Sequence, residues 1–155
     1  MKLYNTLEPE LVHINLEQAN RDDILHEMVH NLKLRNKIPD ENLAFRKLLE
    51  REKLGTTSIG NHAAVPHAKL KDIKKPIVAV GVSKKGVRYH EDDEQSVHLI
   101  ILILSPNNSP NIHLQVLAAA ASLIKKTKNL VKEISAIESA VELIELLKKY
   151  ETLDD

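Results

Sequence analysis

The longest apolar run in the chain is Leu99-Ile100-Ile101-Leu102-Ile103-Leu104, which lies within a strand predicted over residues 97–104. A strand buried on one face alternates apolar and polar residues, whereas this run is apolar at every position. It therefore predicts a strand covered on both faces. Because a second strand is predicted over residues 77–82 and helical patterns lie on either side of the pair, the order of elements predicts an α/β fold, a three-layer α/β/α sandwich.

Two helices are predicted before the strands. Apolar residues recur at helical spacing after the capping residues Asn20 and Asp40, and these helices are expected to end near Asn36 and Leu54. The expected inward faces consist of apolar side chains, namely Ile24, Leu25, Met28, Val29 and Leu32 in the first helix and Leu43, Ala44 and Leu48, with Phe45, in the second.

Three helices are predicted after the strands. Ser109 followed by Pro110 indicates a helix start, and the helix is expected to run to residue 128. A short helix follows from residue 129, and the capping-box pattern at residues 135–138 predicts a last helix that reaches residue 150. The expected inward residues are Leu114, Leu117, Ala118, Ala121 and Ile124 in the long helix and Val141, Ile144 and either Leu143 or Leu147 in the last.

The remaining segments are short strands and loops. Residues 11–16 alternate apolar and polar, and residues 63–65 are small and apolar, so both predict short strands. Pro66 ends the second of these because proline cannot donate to a ladder. Loops or turns are expected at residues 55–61, 84–86 and 91–94.

The composition favours one compact domain over residues 1–155, expected to lie in the cytoplasm. Lys+Arg and Asp+Glu are balanced at 22 each, and the chain has one Phe, three Tyr and no Trp, which argues against a nucleic-acid-binding surface. The absence of cysteine excludes disulfides and cysteine-bound zinc. The N-terminus has no apolar leader and the run at 99–104 is too short to cross a bilayer, so no membrane insertion is expected.

A single loop histidine usually has no chemical task, but the setting of His67 favours one. It follows Pro66 at the end of the predicted strand 63–65, and the preceding residues 55–61 are rich in Gly, Thr, Ser and Asn. Backbone N–H groups and hydroxyls of such a segment can cradle a phosphate. Because imidazole titrates near neutral pH, an unprotonated ring nitrogen is available as a nucleophile. His67 is therefore a candidate phosphoryl acceptor, with one ring nitrogen expected to donate to a backbone carbonyl.

His113 and Arg51 are the two further candidates. His113 lies in the first turn of the helix that begins after Ser109, where the helix dipole favours an anion, and it could bond a phosphoryl oxygen. Arg51 ends a helix just before the segment 55–61, and guanidinium recognises phosphate oxygens in pairs. Taken locally, both remain open to a simpler interpretation, as a polar helix residue and a solvated helix-end charge.

Other kinds of site lack support in the sequence. No glycine-rich nucleotide motif or nucleophile-elbow motif occurs, so the phosphoryl group must come from another protein and no cofactor is predicted. His62 could in principle join His67 and His113 around a metal, but its spacing from His67 is not that of helical metal ligands, so no metal site is predicted. The histidines left over show no constellation, and His98 is expected to be structural or at an edge.

The segment REKLGTTSIGNHAAVPHAKL, residues 51–70, closely resembles a known signature. It is that of the enzyme IIA domains of the bacterial phosphoenolpyruvate–sugar phosphotransferase system, fructose–mannitol class and nitrogen-regulatory relatives. The resemblance places the phosphoryl-accepting histidine at His67 and the family's active-site arginine at Arg51. The second active-site histidine falls on His113, in the pattern HLQVL, and residues 95–101 resemble the strand before that helix.

The resemblance implies a mixed sheet of about five strands with helices on both faces. It also implies that a phosphoryl group is received from the phosphocarrier HPr or a paralogue and is passed to a IIB domain for sugar uptake. The alternative is a regulatory protein in which phosphorylation of His67 controls docking to a target. Three residues depart from the usual pattern, namely Ala68 in place of glycine, His62 and His98, and the first two leave a third possibility of an inactive relative.

Overall fold

The computed structural model describes residues 1–153, which contain six strands and five α-helices. The strands are β1 (Val12–His13), β2 (Ser58–Gly60), β3 (Ala63–Ala64), β4 (His67–Leu70), β5 (Ile77–Val87) and β6 (Val97–Pro106). The helices are α1 (Arg21–Leu34), α2 (Glu41–Lys53), α3 (Pro110–Lys125), α4 (Leu130–Ser135) and α5 (Ala140–Glu151). Two short 3₁₀ turns, Leu3–Thr6 and Pro9–Leu11, precede β1.

The strands form one mixed sheet in the order β1-β5-β6-β3-β2, with β4 also paired to β6. Strands β5 and β6 are antiparallel, whereas β3 and β4 both run parallel to β6 and β1 runs parallel to β5. Every residue of β6 is buried. The sequence prediction of a strand covered on both faces is therefore confirmed, and so is the mixed sheet.

Helices cover both faces of the sheet and give the predicted three layers. One apolar cluster joins α1 and α2 to side chains such as Ile100, Leu102 and Leu104 of β6. The other joins α3, α4 and α5 to the alternate residues Leu99, Ile101 and Ile103. Because successive strand side chains point to opposite faces, the uninterrupted apolar run serves both clusters. Within residues 1–153, no helix is long and apolar enough to cross a membrane.

The first two helices begin at the positions that their capping residues predicted. The side chain of Asn20 accepts a hydrogen bond from the backbone N–H of Asp23 at 2.9 Å, and that of Asp40 accepts one from Leu43 at 3.0 Å. These bonds satisfy donors that have no partner inside the helix. The predicted inward face of α1 is confirmed, since all five residues predicted to face inward are buried.

The predictions for the later helices need correction. The buried residues of α3 are His113, Val116, Ala119, Ala120, Leu123 and Ile124, so the inward face is rotated from the predicted one and Leu114 is 64% exposed. The last helix begins after Ser139, whose side chain accepts from the N–H of Glu142 at 3.1 Å, and not after Ser135. The two errors have separate reasons: α3 buries the polar His113 and so turns a different face inward, whereas Ser135 of the capping-box pattern ends α4 and Ser139 caps α5.

Parts of two segments that the sequence predicted as loops or turns form strands in the structure. Residues 84–86, predicted as a turn, lie within β5, which continues past a register irregularity to pair Val87 with Val97. The predicted strand over residues 11–16 is regular only at Val12–His13. Part of the predicted loop 55–61 forms β2, antiparallel to β3. Pro66 separates β3 from β4, which pair with β6 in succession, so His67 begins a strand of its own.

Candidate functional site

The three predicted site residues meet at one edge of the sheet. His67 opens β4 and pairs in register with Ile103, near the end of the parallel strand β6. Helix α3 begins soon after β6 ends and carries His113 in its first turn. Helix α2 ends at Lys53 and brings Arg51 to the same place. Elements far apart in sequence therefore deliver two imidazoles and a guanidinium to one cleft.

Two hydrogen bonds define the state of the His67 ring. Its Nδ1 lies 2.8 Å from the carbonyl oxygen of Val65, and because a carbonyl can only accept, Nδ1 carries the proton. The other nitrogen, Nε2, accepts a hydrogen bond from Nε of Arg51 at 3.2 Å. Partial burial lowers the pKa of His67, with the Val65 carbonyl opposing that shift and Arg51 adding to it. The neutral ring thus presents the lone pair of Nε2 to the cleft.

Arg51 is held in place by its helix end. Besides the bond to His67, its Nη1 donates to the carbonyl oxygen of Gly55 at 2.8 Å. This carbonyl belongs to the segment just after α2, so the guanidinium bridges the segment and the imidazole. The simpler interpretation of Arg51 as a solvated charge does not describe this geometry.

His113 is almost fully buried, at 5% exposure, beside His67. The two ring centroids lie 5.5 Å apart, and the rings are tilted by 55°. Burial lowers the pKa of His113 to about 4, and the positive charges that His67 and Lys69 can carry add to the shift. His113 is therefore neutral near neutral pH, and its Nδ1 lies 2.7 Å from the hydroxyl oxygen of Ser105.

The cleft around these groups is open and has a volume of about 490 Å³. Two lysines, Lys47 and Lys69, line it together with Arg51, and Glu50 is the carboxylate among its lining residues. Its apolar rim includes Leu54, which is 84% exposed, and Leu117. An anionic group that approaches the Nε2 of His67 therefore meets a mostly positive surface.

A buried carboxylate that the sequence interpretation missed supports the Arg51 region. Glu52 is only 4% exposed and accepts hydrogen bonds from the backbone N–H of Thr57 at 3.0 Å, from the Thr57 hydroxyl, and from the hydroxyl of Tyr89 at 3.0 Å. Burial and the nearby Glu52 raise the pKa of Tyr89 well above its usual value. The signal was present in the sequence, since residue 52 continues the inward stripe of Ala44 and Leu48 at helical spacing.

The segment 55–61, predicted as a possible phosphate cradle, is not among the residues that line the His67 cleft. The Thr57 hydroxyl bonds Glu52, and the Ser58 hydroxyl donates to Asp93 at 2.7 Å. Ser58 and Gly60 line a different cleft, of about 370 Å³, together with the acidic residues 92–94. The polar side chains of the segment are thus engaged in holding the protein together, and its contribution to the His67 cleft is the Gly55 carbonyl that fixes Arg51.

The unusual histidines lie away from the cleft. His62 has a positive φ of 60°, and its Nδ1 lies 2.9 Å from the carbonyl oxygen of Ser96. Its ring packs edge-on against the buried His98, at 5.6 Å between centroids, so the structure does not bring His62 to His67 and His113. His98 is structural, as predicted, with Nδ1 donating to the Ser83 carbonyl at 2.9 Å. Residues 1–153 contain no cluster of three or more potential metal ligands.

Ala68 fits its position without strain. It lies in β4, is 7% exposed, and belongs to the apolar cluster under α1 and α2. The non-glycine residues with positive φ in the described chain are Asn36, Asn61 and His62, so the backbone at residue 68 does not need glycine. The cost expected for alanine at a positive φ therefore does not arise.

Comparisons with known proteins show which family and which solved structures this chain resembles. Residues 5–150 match the family described as "Phosphoenolpyruvate-dependent sugar phosphotransferase system, EIIA 2". The fructose-specific EIIABC component of Bacillus subtilis is 30% identical over 151 residues, which are 97% of this chain and 24% of that protein. This chain thus spans about a quarter of that relative's length.

Two solved structures share the fold. The nitrogen regulatory protein IIA-Ntr from Neisseria meningitidis superposes with a TM-score of 0.81 at 26% identity, covering 94% of this chain and 98% of that one. Mannitol enzyme IIA from Escherichia coli, solved in complex with phosphorylated enzyme IIB, superposes with a TM-score of 0.76 at 24% identity. That match covers 92% of this chain and 96% of the other.

Proposed function

The chain belongs to the EIIA 2 family of the phosphoenolpyruvate-dependent sugar phosphotransferase system, and from that premise we propose that it accepts a phosphoryl group on Nε2 of His67. The observation that carries the proposal is the pair of bonds to the His67 ring. The Val65 carbonyl holds the proton on Nδ1, while Nε2 points its lone pair to the cleft and Arg51.

The reaction we propose is an in-line transfer between two imidazoles. The Nε2 lone pair of His67 forms a bond to phosphorus, while the bond between phosphorus and the donor nitrogen breaks and its electron pair returns to the donor ring. Each ring keeps the proton on its other nitrogen, so no base is needed. On His67 the Val65 carbonyl, at 2.8 Å from Nδ1, stabilises the positive charge that the ring gains.

Arg51 and His113 act on the charge of the transferred group in this proposal. For the Nε2 lone pair to attack, Arg51 must release it, and the guanidinium is then free to bond phosphoryl oxygens. His113, whose ring lies 5.5 Å from that of His67, is placed to donate to another oxygen. Positioned donors of this kind stabilise charge in transfer without reorganisation during the reaction.

Membership of the family supports a choice of partners. We propose that HPr or a paralogue is the donor and that a IIB domain accepts the group for sugar uptake, in the cytoplasm, with residues 1–155 acting as one phosphocarrier domain. The solved complex of mannitol IIA with phosphorylated IIB supports the second partner, because it joins a protein of the same fold to such a domain.

Mass spectrometry of the intact protein tests the central claim. Incubation with phosphoenolpyruvate, enzyme I and HPr should add the mass of one phosphoryl group, and the His67→Ala variant should stay unmodified. The His62→Ala variant is the matched control and should be phosphorylated like the wild type, because His62 lies outside the cleft. An unmodified wild-type protein, or a modified His67→Ala variant, would refute the assignment.

A regulatory role is the second candidate, favoured by the match to IIA-Ntr, which covers 98% of that chain. In this role the phosphorylation state of His67 controls binding to a target protein. Phosphorylated and unphosphorylated protein, each immobilised, would be compared for retention of cell proteins and for transfer to added IIB domains. Rapid transfer to a IIB domain indicates the transport role, whereas retention of a target by one state alone indicates the regulatory role.

A further inference from the structure

Ser105 holds the inner side of the His113 ring. It lies near the end of β6, is fully buried at 0% exposure, and its hydroxyl oxygen is 2.7 Å from Nδ1 of His113. Nothing in the sequence pattern drew attention to it, since it follows the apolar run 99–104 as the first polar residue. Its contact with a cleft histidine raises the question of which group donates the hydrogen bond.

The number of protons on the Ser105 hydroxyl and on the His113 ring determines which group donates. A serine hydroxyl carries one proton, and within residues 1–153 Nδ1 of His113 is the partner recorded for the Ser105 hydroxyl. If Nδ1 were the donor, the hydroxyl proton would be buried without an acceptor, at a cost of about 1–3 kcal/mol. If the hydroxyl donates, both groups are satisfied. Ser105 is therefore the donor and Nδ1 of His113 the acceptor.

This direction fixes the tautomer of His113. A neutral imidazole has one N–H, so acceptance at Nδ1 places the proton of His113 on Nε2. His67 has the opposite arrangement, with its proton on Nδ1 and its lone pair on Nε2. The cleft thus combines one ring that can attack phosphorus with one ring that can donate a hydrogen bond.

We propose that Ser105 is a positioning residue for phosphoryl transfer: by donating to Nδ1 of His113, it keeps Nε2–H of that ring ready to bond an oxygen of the phosphoryl group on His67. This inference rests on the proposed function of His67. Ser105 itself contacts no reacting atom, because it is fully buried behind His113.

Nitrogen-15 NMR of the unphosphorylated protein tests the tautomers directly. Long-range proton–nitrogen spectra at neutral pH, assigned with His67→Gln and His113→Gln variants, should show His113 protonated on Nε2 and His67 protonated on Nδ1. A protonated Nδ1 on His113 would overturn the proposal. Since no phosphoryl donor is present, this result is independent of whether His67 can be phosphorylated.

The rate at which His67 is phosphorylated tests whether Ser105 positions His113 for the transfer. Ser105→Ala should shift the His113 nitrogen signals and slow phosphorylation of His67 about tenfold, the loss of roughly one hydrogen bond in the transition state. Ser105→Thr, which keeps the hydroxyl, should restore both. Ser109→Ala, on a partly exposed residue at the start of the same helix, is the matched control and should change neither.

The outcomes separate the two claims. If the wild type is not phosphorylated but shows the expected tautomers, the proposed function fails while the hydrogen-bond assignment stands. If Ser105→Ala transfers at the wild-type rate with unchanged His113 signals, the positioning role fails while His67 remains the acceptor. Should Ser105→Ala not fold, the wild-type spectra and the threonine variant still decide the proposal.

Discussion

In the proposed reaction, the nitrogen of His67 that attacks phosphorus is the one that accepts a hydrogen bond from Arg51, the residue expected to assist the transfer. A lone pair that accepts a hydrogen bond from Arg51 cannot form a bond to phosphorus at the same moment. Arg51 must therefore move as the donor phosphoryl group arrives, and the Gly55 carbonyl, 2.8 Å from its Nη1, can hold the guanidinium close to the cleft meanwhile. The site therefore reaches its reactive arrangement once Arg51 releases Nε2 of His67.

We expect Arg51→Ala to slow phosphorylation of His67 by about 10²-fold, the usual effect of removing one donor to developing charge. Arg51→Lys should recover only part of this rate, because an ammonium lacks the planar fork that bonds two acceptors at once. Initial rates at limiting phospho-donor would be compared with those of Arg46→Gln, an exposed arginine on the same helix. Equal rates for Arg51→Ala and the wild type would show that Arg51 does not assist phosphorylation of His67.

The depressed pKa of His113 predicts how stability depends on pH. The folded protein binds this proton only near pH 4, whereas the unfolded chain binds it near pH 6.5, so between these values the unfolded state holds more protons. The free energy of unfolding should therefore fall as the pH drops from 6.5 towards 4. Chemical denaturation of the wild type and His113→Gln across this range measures the difference, which should shrink at low pH; a constant difference would contradict the prediction.

Among the elements, those defined by local chemistry were predictable. The caps Asn20 and Asp40 and the uninterrupted run at 99–104 carry their own signals, and the structure confirms all three. Strands β2 and β4 were not predictable, because β2 lies among Gly, Thr, Ser and Asn residues that favour a loop and β4 directly follows Pro66, so that only their pairing with β3 and β6 defines them. Short strands gain their hydrogen bonds from distant partners, which a local pattern does not contain.

The same distinction holds for the candidate site. His67, Arg51 and His113 could be identified from the sequence as candidate site residues, and the structure brings them together. Their supporting groups could not, because Glu52 and Ser105 act through contacts with residues that only the fold places beside them. An inward-facing carboxylate on a helix was the one available signal.

The junction between α2 and the following segment depends on Glu52. We expect Glu52→Gln to lower the free energy of unfolding by about 2 kcal/mol. The carboxylate accepts from three donors, and because an amide NH₂ cannot accept, at least one of these buried donors on Thr57 or Tyr89 would lose its acceptor. For a chain of this size that loss of stability corresponds to a drop in Tm of roughly 4–8 °C. Glu50→Gln, on an exposed side chain two residues earlier, is the control for thermal unfolding and should change Tm little. An equal Tm for both variants would show that the buried network contributes nothing.

Over the whole molecule, charge is balanced in number but uneven in position. Lys+Arg and Asp+Glu are 22 each, yet Lys47, Lys69 and Arg51 converge on the His67 cleft while Asp92, Asp93 and Glu94 line the other one. In the proposed function, the positive cleft attracts the phosphoryl group that the donor carries, and a field of this kind speeds encounter in a salt-dependent way. Although the net charge is zero, the uneven placement of the charges therefore creates an electrostatic field that attracts anions to the His67 cleft.

This field predicts that phosphorylation of His67 slows as ionic strength rises, and that Lys69→Gln lowers the rate about threefold at low salt while flattening the salt dependence. Lys85→Gln is the matched control: Lys85 is exposed in the irregular part of β5 just before Val87 pairs with the first residue of β6, whereas His67 pairs near the end of β6. Rates would be measured at several salt concentrations with phospho-HPr below saturation, so that encounter limits them. Because exposed charges more than about 10 Å apart are largely screened from each other at 0.1 M salt, only the lysine beside the cleft should matter. Parallel salt curves for the wild type and both variants would mean that the cleft lysines do not guide the donor.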